Sequence, residues 1–173
     1  LTVTGVQTCA LPIFDQSGYR EMLETTTQIN KVGVVLGEQS AVHAMTAVTG
    51  FGLLGHLLEV CHGADLFAQV ALEALPILPT ARALAMAGAS TGAASRNWQS
   101  YGDKVRLPAN IVAWQQNILC DPQTSGGLLI ACAPHKAESV LDIFHKSGFA
   151  AATRIGDMMA GKAQVRVLSG EET

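Results

Sequence analysis

The stretch Asp121-Pro-Gln-Thr-Ser-Gly-Gly127, followed directly by Leu-Leu-Ile-Ala, decides the fold of this chain. Asp121 begins a turn, because the next residue is a proline, which disfavours the helical region for the residue before it. Gly126 and Gly127 allow positive φ and let another backbone or a phosphate approach closely. The apolar run over residues 128–132 predicts a short buried strand. A polar turn on such a strand indicates a binding site, and a plain tight turn is the alternative.

A second segment runs from His43 to His56 and reads His-Ala-Met-Thr-Ala-Val-Thr-Gly-Phe-Gly-Leu-Leu-Gly-His. We predict a strand at its start and a helix over residues 49–62, with Thr49 as the N-terminal cap and Gly63 as the stop. The unpaired N–H groups of the first turn would attract phosphate. The alternative is a core helix packed closely through its glycines. Helical spacing predicts one buried stripe, formed by Phe51, Leu54, Leu58 and Cys61.

These two segments, in this order, resemble the selenophosphate synthetase (selenide, water dikinase) family. The family patterns are Thr-Asp-Val-Thr-Gly-Phe-Gly-Leu-Leu-Gly-His and Cys-Asp-Pro-Gln-Thr-Ser-Gly-Gly-Leu-Leu. The second pattern is intact from Cys120 to Leu129, and the resemblance extends over about residues 15–167. Shorter matches are Glu21-Met-Leu-Glu-Thr-Thr26, Leu78-Pro79, Arg96-Asn97, Ser100-Tyr-Gly102 and Ile155-Gly156.

The resemblance implies a fold and an activity. The fold would be α+β, a mixed β-sheet with helices packed on one face, like the C-terminal domain of the aminoimidazole ribonucleotide synthetase superfamily. The family makes selenophosphate from ATP, selenide and water, releases AMP and orthophosphate, uses Mg²⁺ and forms homodimers. By this resemblance, residues 14–173 would be the C-terminal domain with its lead-in helix, without the N-terminal ATP-binding domain.

The resemblance also implies which residues bind nucleotide. They are Thr49, Gly50, Gly52, Arg96, Asn97, Asp121, Thr124 and Ser125. No catalytic residue is expected, since the family's reactive Cys or selenocysteine and its Lys partner belong to the other half. Cys9 does not match the family's nucleophile motif.

Two departures from the family pattern bear on the site. Ala47 stands where the family has an Asp that ligates Mg²⁺, and a methyl group offers no oxygen ligand, so we expect no metal site in this chain. The family's Pro-Gly-Gly-Thr-x-Arg-Asn loop appears as residues 91–97, with Ala93 in place of a glycine. If that position needs positive φ, alanine costs about 1 kcal/mol. Arg96 would be a phosphate clamp or a solvated loop residue.

Composition limits the classes of function. Hydrophobic residues make up 49% of the chain and charged residues 14%, which predicts a large interface covered by a partner. No apolar run approaches the roughly 18 to 20 residues that span a bilayer, so no membrane insertion is expected. The net charge of −3 and the scattered basic residues argue against nucleic-acid binding.

The four cysteines include no Cys-x-x-Cys pair, which argues against a zinc knuckle. Three of them lie in apolar runs and are predicted to be buried thiols. With no evident secretory signal, the cytoplasm is the expected compartment. A metal site formed by Cys61, His62 and His56 is conceivable, and an ordinary helix end is the favoured alternative.

Residues 1–13 do not fit the family pattern and resemble translated adapter sequence, so we interpret them as a non-native segment, with a genuine N-terminal arm as the alternative. Helices are predicted over residues 15–30, 80–87, 110–119 and 134–146, and strands over 42–45, 66–72, 153–155 and 164–168. Residues 89–103 are predicted to form a long loop. Thr80 would cap its helix, and Gly88 would end it. The first helix would have one apolar face formed by Tyr19, Met22, Leu23 and Ile29.

Two functions follow from these features. The first is a fragment of a selenophosphate synthetase that is inactive alone. The second is a non-catalytic dimerisation or interaction module, or an inactive homologue, which Ala47 favours. A purine-biosynthesis synthetase or a hydrogenase-maturation protein would be other branches of the superfamily, but the motif from Cys120 to Gly127 argues against both.

Overall fold

The computed structural model describes residues 15–170, so the predicted non-native segment and Cys9 lie outside the described residues. The helices are α1 (Gln16–Thr27), α2 (Val32–Gly37), α3 (Gly52–Ala64), α4 (Pro79–Met86), α5 (Gly92–Tyr101), α6 (Ala113–Cys120) and α7 (Ala137–Lys146). The strands are β1 (Val42–Ala47), β2 (Leu66–Ala71), β3 (Val105–Arg106), β4 (Leu128–Cys132), β5 (Gly156–Ala160) and β6 (Gln164–Leu168).

The strands form two sheets. The larger sheet has the order β3-β6-β2-β5, with β6 parallel to both β2 and β3 and with β5 antiparallel to β2. The smaller sheet is the antiparallel pair β1-β4. The predicted α+β class with a mixed sheet is therefore confirmed, while the separate two-stranded sheet was not predicted. That pair joins the two segments that the sequence singled out.

Two apolar clusters hold these layers together. In the larger one, the buried side of α3 packs with β2 and β6, because Leu54 and Cys61 meet Val70, Val165 and Val167, all at most 2% exposed. In the smaller one, Val32 and Leu36 of α2 pack with Val140 and Phe144 of α7. Leu128 and Ile130 of β4 lie against this second cluster.

Helix α3 differs from its prediction at both ends. It begins at Gly52 with Phe51 at the capping position, and Thr49 does not cap it, because its Oγ1 instead lies 2.9 Å from His56 Nε2. Gly63 is not the stop, since the helix continues to Ala64 and is followed by Asp65, whose φ of 51° is left-handed. Phe51 is 53% exposed and does not belong to the buried stripe, whereas Leu54, Leu58 and Cys61 do.

The predicted loop over residues 89–103 is wrong, because most of it forms α5. Thr91 caps this helix, its Oγ1 accepting a hydrogen bond from Ala94 N at 3.1 Å. Alanine and arginine are good helix formers, and Ala94 and Tyr101 are buried against the larger cluster. Ala93 lies inside the helix, so its position needs no positive φ.

Smaller differences concern three other elements. Helix α4 has Pro79 in its first turn and Leu78 at the cap, so Thr80 is not the cap, whereas Gly88 does follow the helix with φ of 93°. Helix α6 begins three residues later than predicted, at Ala113. The strand predicted at residues 153–155 lies instead at Gly156–Ala160. The predictions for β1, β2, β4, β6 and α7 are confirmed within two residues, apart from a first turn of 3-10 type before α7.

The predicted apolar face of α1 is largely exposed in this chain. Tyr19 is 37% exposed, Leu23 41% and Ile29 77%, and Val34 on the neighbouring α2 is 70% exposed. Among residues 15–170, none of the helices has the length and apolar character needed to cross a bilayer.

Candidate functional site

The two segments identified from the sequence lie directly against each other. Val48 N donates a hydrogen bond to Gly127 O at 3.0 Å, and Gln123 N donates to Thr49 O at 3.0 Å. These bonds continue the β1-β4 ladder, in which Ala47 faces Leu128, into the two polar turns that follow. The start of α3 and the Asp-Pro turn therefore form one backbone-paired unit.

Glycines make this close packing possible. A Cβ built on Gly126 would lie 1.7 Å from Val48 O, so the expected close approach of another backbone is confirmed. Neither Gly126 nor Gly127 uses the positive φ that glycine allows, whereas Gly52 adopts a φ of 68°. A Cβ on Gly52 would also lie 2.6 Å from the carbonyl carbon of Cys120.

Asn97 ties both segments to α5. Its Nδ2 donates hydrogen bonds to Gly50 O and to Cys120 O, each at 2.9 Å. This amide joins three separate parts of the chain. Arg96, the residue before it, lies on the exposed side of α5, where its side chain is free of the core.

Asp121 is a buried carboxyl group, only 5% exposed. Its Oδ1 accepts a hydrogen bond from Thr91 Oγ1 at 2.9 Å, while its Oδ2 is buried without a hydrogen-bond partner among residues 15–170. Burial raises the pKa of this carboxyl to about 6, and the bond from Thr91 offsets only part of that rise. Gln123 is also buried: its Nε2 donates to Asp121 O at 3.2 Å, and its Oε1 lacks a partner among the same residues.

The raised pKa of Asp121 predicts a pH-dependent stability. An unfolded Asp has a pKa of about 3.9, so between about pH 4 and pH 6 the native state holds a proton that the unfolded state has released. This contribution to the free energy of unfolding is complete below about pH 4 and is lost as pH rises through about 6. We expect wild type to lose about 2 kcal/mol relative to Asp121→Asn between about pH 4.5 and about pH 7.5, measured by urea unfolding. Parallel pH profiles for the two proteins would contradict this.

The remaining predicted site residues lie around this unit. Thr49, Gly50 and Thr124 are exposed, and Ser125 is half-buried. The structure thus joins Gly50 to Asn97 directly, links Gly52 and Asn97 through Cys120, and links Thr49 to Asp121 through Gln123. Thr124 and Ser125 lie in the same turn as Asp121, and Arg96 lies beside Asn97.

Four residues of the site were not predicted. Thr91 and Gln123 contact Asp121, as described above. His56 is 7% exposed, and its Nδ1 lies 2.8 Å from Glu59 Oε2 while its Nε2 faces Thr49 Oγ1. The i to i+3 spacing of His56 and Glu59 was the only sequence signal for this contact.

Three of the four cysteines, Cys61, Cys120 and Cys132, lie among the described residues. Burial raises the pKa of the Cys120 thiol to about 11, so it is protonated at neutral pH. Cys61 is buried with its thiol donating to Gln164 O at 3.6 Å, and Cys132 is only half-buried. Within residues 15–170, no three His, Cys, Asp or Glu side chains are grouped closely enough to bind a metal ion.

Comparison with known proteins gives one family match and several relatives. Residues 5–168 match the family described as AIR synthase related protein, C-terminal domain. A selenide, water dikinase of Paraburkholderia xenovorans (strain LB400) is 47% identical over 154 residues, which are 89% of this chain and 44% of that protein. The corresponding protein of Burkholderia pseudomallei (strain K96243) is 50% identical over 88% of this chain and 43% of its own length. The chain therefore spans less than half of these relatives.

Solved structures show the same fold. The hydrogenase maturation protein HypE in complex with ATP matches 83% of this chain and 38% of its own, with a TM-score of 0.56 and 18% identity. HypE of E. coli matches 87% of this chain with a TM-score of 0.52 and 16% identity.

Proposed function

This chain belongs to the AIR synthase related protein family, C-terminal domain, and from that premise we propose that it is the C-terminal part of a selenide, water dikinase. The whole protein would convert ATP, selenide and water into selenophosphate, AMP and orthophosphate. Residues 14–173 would form one domain, and an N-terminal domain would supply the nucleophile and most of the ATP site. The assembled protein would be a cytoplasmic homodimer that uses Mg²⁺.

One observation supports this proposal most strongly. The segment with the Thr-Gly-Phe-Gly pattern and the Asp-Pro-Gln-Thr-Ser-Gly-Gly turn are far apart in sequence, yet Gln123 N bonds Thr49 O and Gly126 packs on Val48 O. A plain turn and a separate core helix would not require this pairing. Both segments end in exposed polar groups, Thr49 and Thr124 among them, at the start of a 13-residue helix.

We assign the phosphate groups of the nucleotide to the part of the site that is formed by the start of α3. The first turn of a helix generally has N–H groups without partners inside the helix, and it carries the positive end of the helix dipole; both favour anions. In α3 the first of these groups, Gly52 N, donates to Thr49 O. Arg96 is exposed near Asn97 and offers a planar cation for phosphate oxygens. Phosphoryl transfer depends mainly on positioning and on electrostatic stabilisation, so such groups contribute without reacting themselves.

The described residues of this chain do not by themselves form a binding site for Mg²⁺. Ala47 at the end of β1 supplies no oxygen ligand, and the described residues contain no acidic cluster that would replace it. The metal ligands of the whole protein would therefore come from the N-terminal domain, and we assign no step through the metal to this chain.

The 173-residue chain is expected to be inactive alone. Because the nucleophile and most of the metal ligands would belong to the N-terminal domain, we predict no selenide-dependent formation of AMP from ATP, and only weak ATP binding, or none. Chromatography of the nucleotides and calorimetric titration with ATP and Mg²⁺ measure both quantities. Tight, Mg²⁺-dependent ATP binding by this chain would contradict the prediction.

A non-catalytic interaction module is the second candidate. It is favoured by Ala47 and by exposed apolar side chains on α2 and on the segment between α1 and α2, where Val34 is 70% and Ile29 77% exposed. The two candidates differ in what an added N-terminal domain does: a catalytic fragment gains turnover, while a module gains none.

A further inference from the structure

Two neighbouring glycines, Gly126 and Gly127, join the polar turn to β4. Glycine has more backbone freedom than any other residue, so this junction by itself would let the turn change its direction relative to the strand. Two hydrogen bonds restrict it. Val48 N donates to Gly127 O at 3.0 Å, and Nδ2 of the Asn30 side chain donates to Gly126 O at 2.9 Å. The carbonyl groups of both glycines are therefore held from outside the turn.

Asn30 is itself firmly held. It lies just before α2, and its backbone oxygen accepts a hydrogen bond from Gly33 N at 3.0 Å. Helix α2 is anchored in the smaller apolar cluster, because Val32 is 2% and Leu36 0% exposed. A Cβ built on Gly33 would lie 3.2 Å from Leu128 Cδ1, so the same helix also packs on the first residue of β4. The side-chain amide of Asn30 therefore projects from a rigid support.

The opposite end of the turn has a contact of the same kind. Asn97 of α5 donates through Nδ2 to Cys120 O at 2.9 Å, just before the turn begins. Between the two ends, Gln123 N donates to Thr49 O at 3.0 Å. Two asparagine amides from separate parts of the chain thus hold the two ends of the turn. Loss of the Asn30 donor would release the end that leads into β4.

We propose that Asn30 is a positioning residue of the site. By holding Gly126 O, it fixes the turn over residues 121–127 against the start of α3, and it thereby sets the distance between Thr49 and the polar side chains of the turn. This deepens the proposed function, since it rests on the turn and the start of α3 forming one site. Asn30 acts through the backbone of Gly126 and contacts no substrate in this role.

The test measures NMR scalar couplings across individual hydrogen bonds in the 173-residue chain. These couplings report the geometry of each bond in the folded state, which a general loss of stability leaves unchanged. In Asn30→Ala, the couplings from Val48 N and Gln123 N to their acceptors should fall to about half or less, because a hydrogen bond weakens steeply with distance and angle. The coupling from Ala71 N to Ile155 O, a 2.9 Å bond in the larger sheet, should not change.

Two further variants show whether the donor itself is responsible. Asn30→Asp keeps the shape of the side chain but removes the donor, because an ionised carboxylate only accepts hydrogen bonds. Its couplings should be reduced at about pH 6.5 and should return to those of wild type at about pH 3.5, where the carboxyl group has a proton to donate. Asn110→Asp is the matched control, since Asn110 Oδ1 accepts from Ser169 Oγ at 2.9 Å and a carboxylate keeps that bond. It should behave as wild type at both pH values.

Unchanged couplings at Val48 and Gln123 in Asn30→Ala, an equal decrease at Ala71, or no recovery of Asn30→Asp at low pH would each overturn the inference. Turnover is the second readout, in a protein that contains both domains. There, Asn30→Ala should lower kcat at saturating ATP by at least about fivefold, whereas Asn110→Asp should not. An unchanged kcat would overturn the role of Asn30 in the reaction. An assembled wild type without turnover would contradict the proposed function alone, because the couplings are measured without turnover.

Discussion

Replacing Gly126 with alanine is expected to remove at least about 3 kcal/mol from the free energy of unfolding, and much of the protein should be unfolded or insoluble. The added Cβ would lie 1.7 Å from Val48 O and 2.8 Å from the carbonyl carbon of the same residue. Both are backbone atoms, so no side-chain rotation relieves the overlap. Val48 N is also bonded to Gly127 O, which holds the two strands at this distance.

Gly127→Ala is the matched control. Nothing lies within 4 Å of a Cβ at this position, and its φ is not positive, so alanine is tolerated there. We expect a change within about 1 kcal/mol, and a slight stabilisation through the unfolded state is possible. Urea unfolding followed by circular dichroism compares the two variants. Equal stability of Gly126→Ala and Gly127→Ala would contradict the close packing of the two segments.

The second prediction concerns the effect of Ala47 on the Mg²⁺-dependent rate of a protein that contains both domains. A hybrid that joins the N-terminal part of the Paraburkholderia xenovorans relative to residues 15–173 of this chain would contain both halves of the proposed site. In this hybrid, Ala47→Asp should raise the rate of selenide-dependent AMP formation at limiting Mg²⁺ by at least about tenfold. The reason is that a carboxylate gives Mg²⁺ an oxygen ligand where the methyl group gives none.

The control for this effect is His43→Asp, which adds a carboxylate at an exposed position of the same strand. It should leave the Mg²⁺ dependence unchanged. Rates are measured over a range of Mg²⁺ concentrations, and the gain from Ala47→Asp should shrink as Mg²⁺ saturates the site. A gain that is independent of Mg²⁺, or the same gain from His43→Asp, would contradict a metal-ligating position at residue 47.

The strands at the site were predictable because their signals are local. The apolar run of β4 lies between Gly127 and Pro134, and its predicted bounds agree with the structure. Helix α5 was missed, because its small residues resemble a loop. The helix depends on the Thr91 cap and on burial of Ala94 and Tyr101, which the local pattern does not reveal.

The sequence motifs of the candidate site could be recognised, but the contacts between its residues could not be predicted. The residues proposed to bind nucleotide followed from the family resemblance, whereas the bond from Thr91 to Asp121 joins residues 30 positions apart. Likewise, the glycine at position 126 is needed for the approach of Val48 O and not for positive φ, and Val48 belongs to a distant segment of the chain. Long-range contacts of this kind are set by tertiary packing, and a local sequence pattern does not contain them.

The most direct test of the account is ³¹P NMR of the Ala47→Asp hybrid incubated with ATP, selenide and Mg²⁺. We predict a selenophosphate resonance that grows in step with AMP and orthophosphate, and no such resonance when residues 15–173 are omitted or when this chain is incubated alone. A folded hybrid that binds ATP yet forms no selenophosphate would contradict the assignment of this chain as the C-terminal part of a selenide, water dikinase.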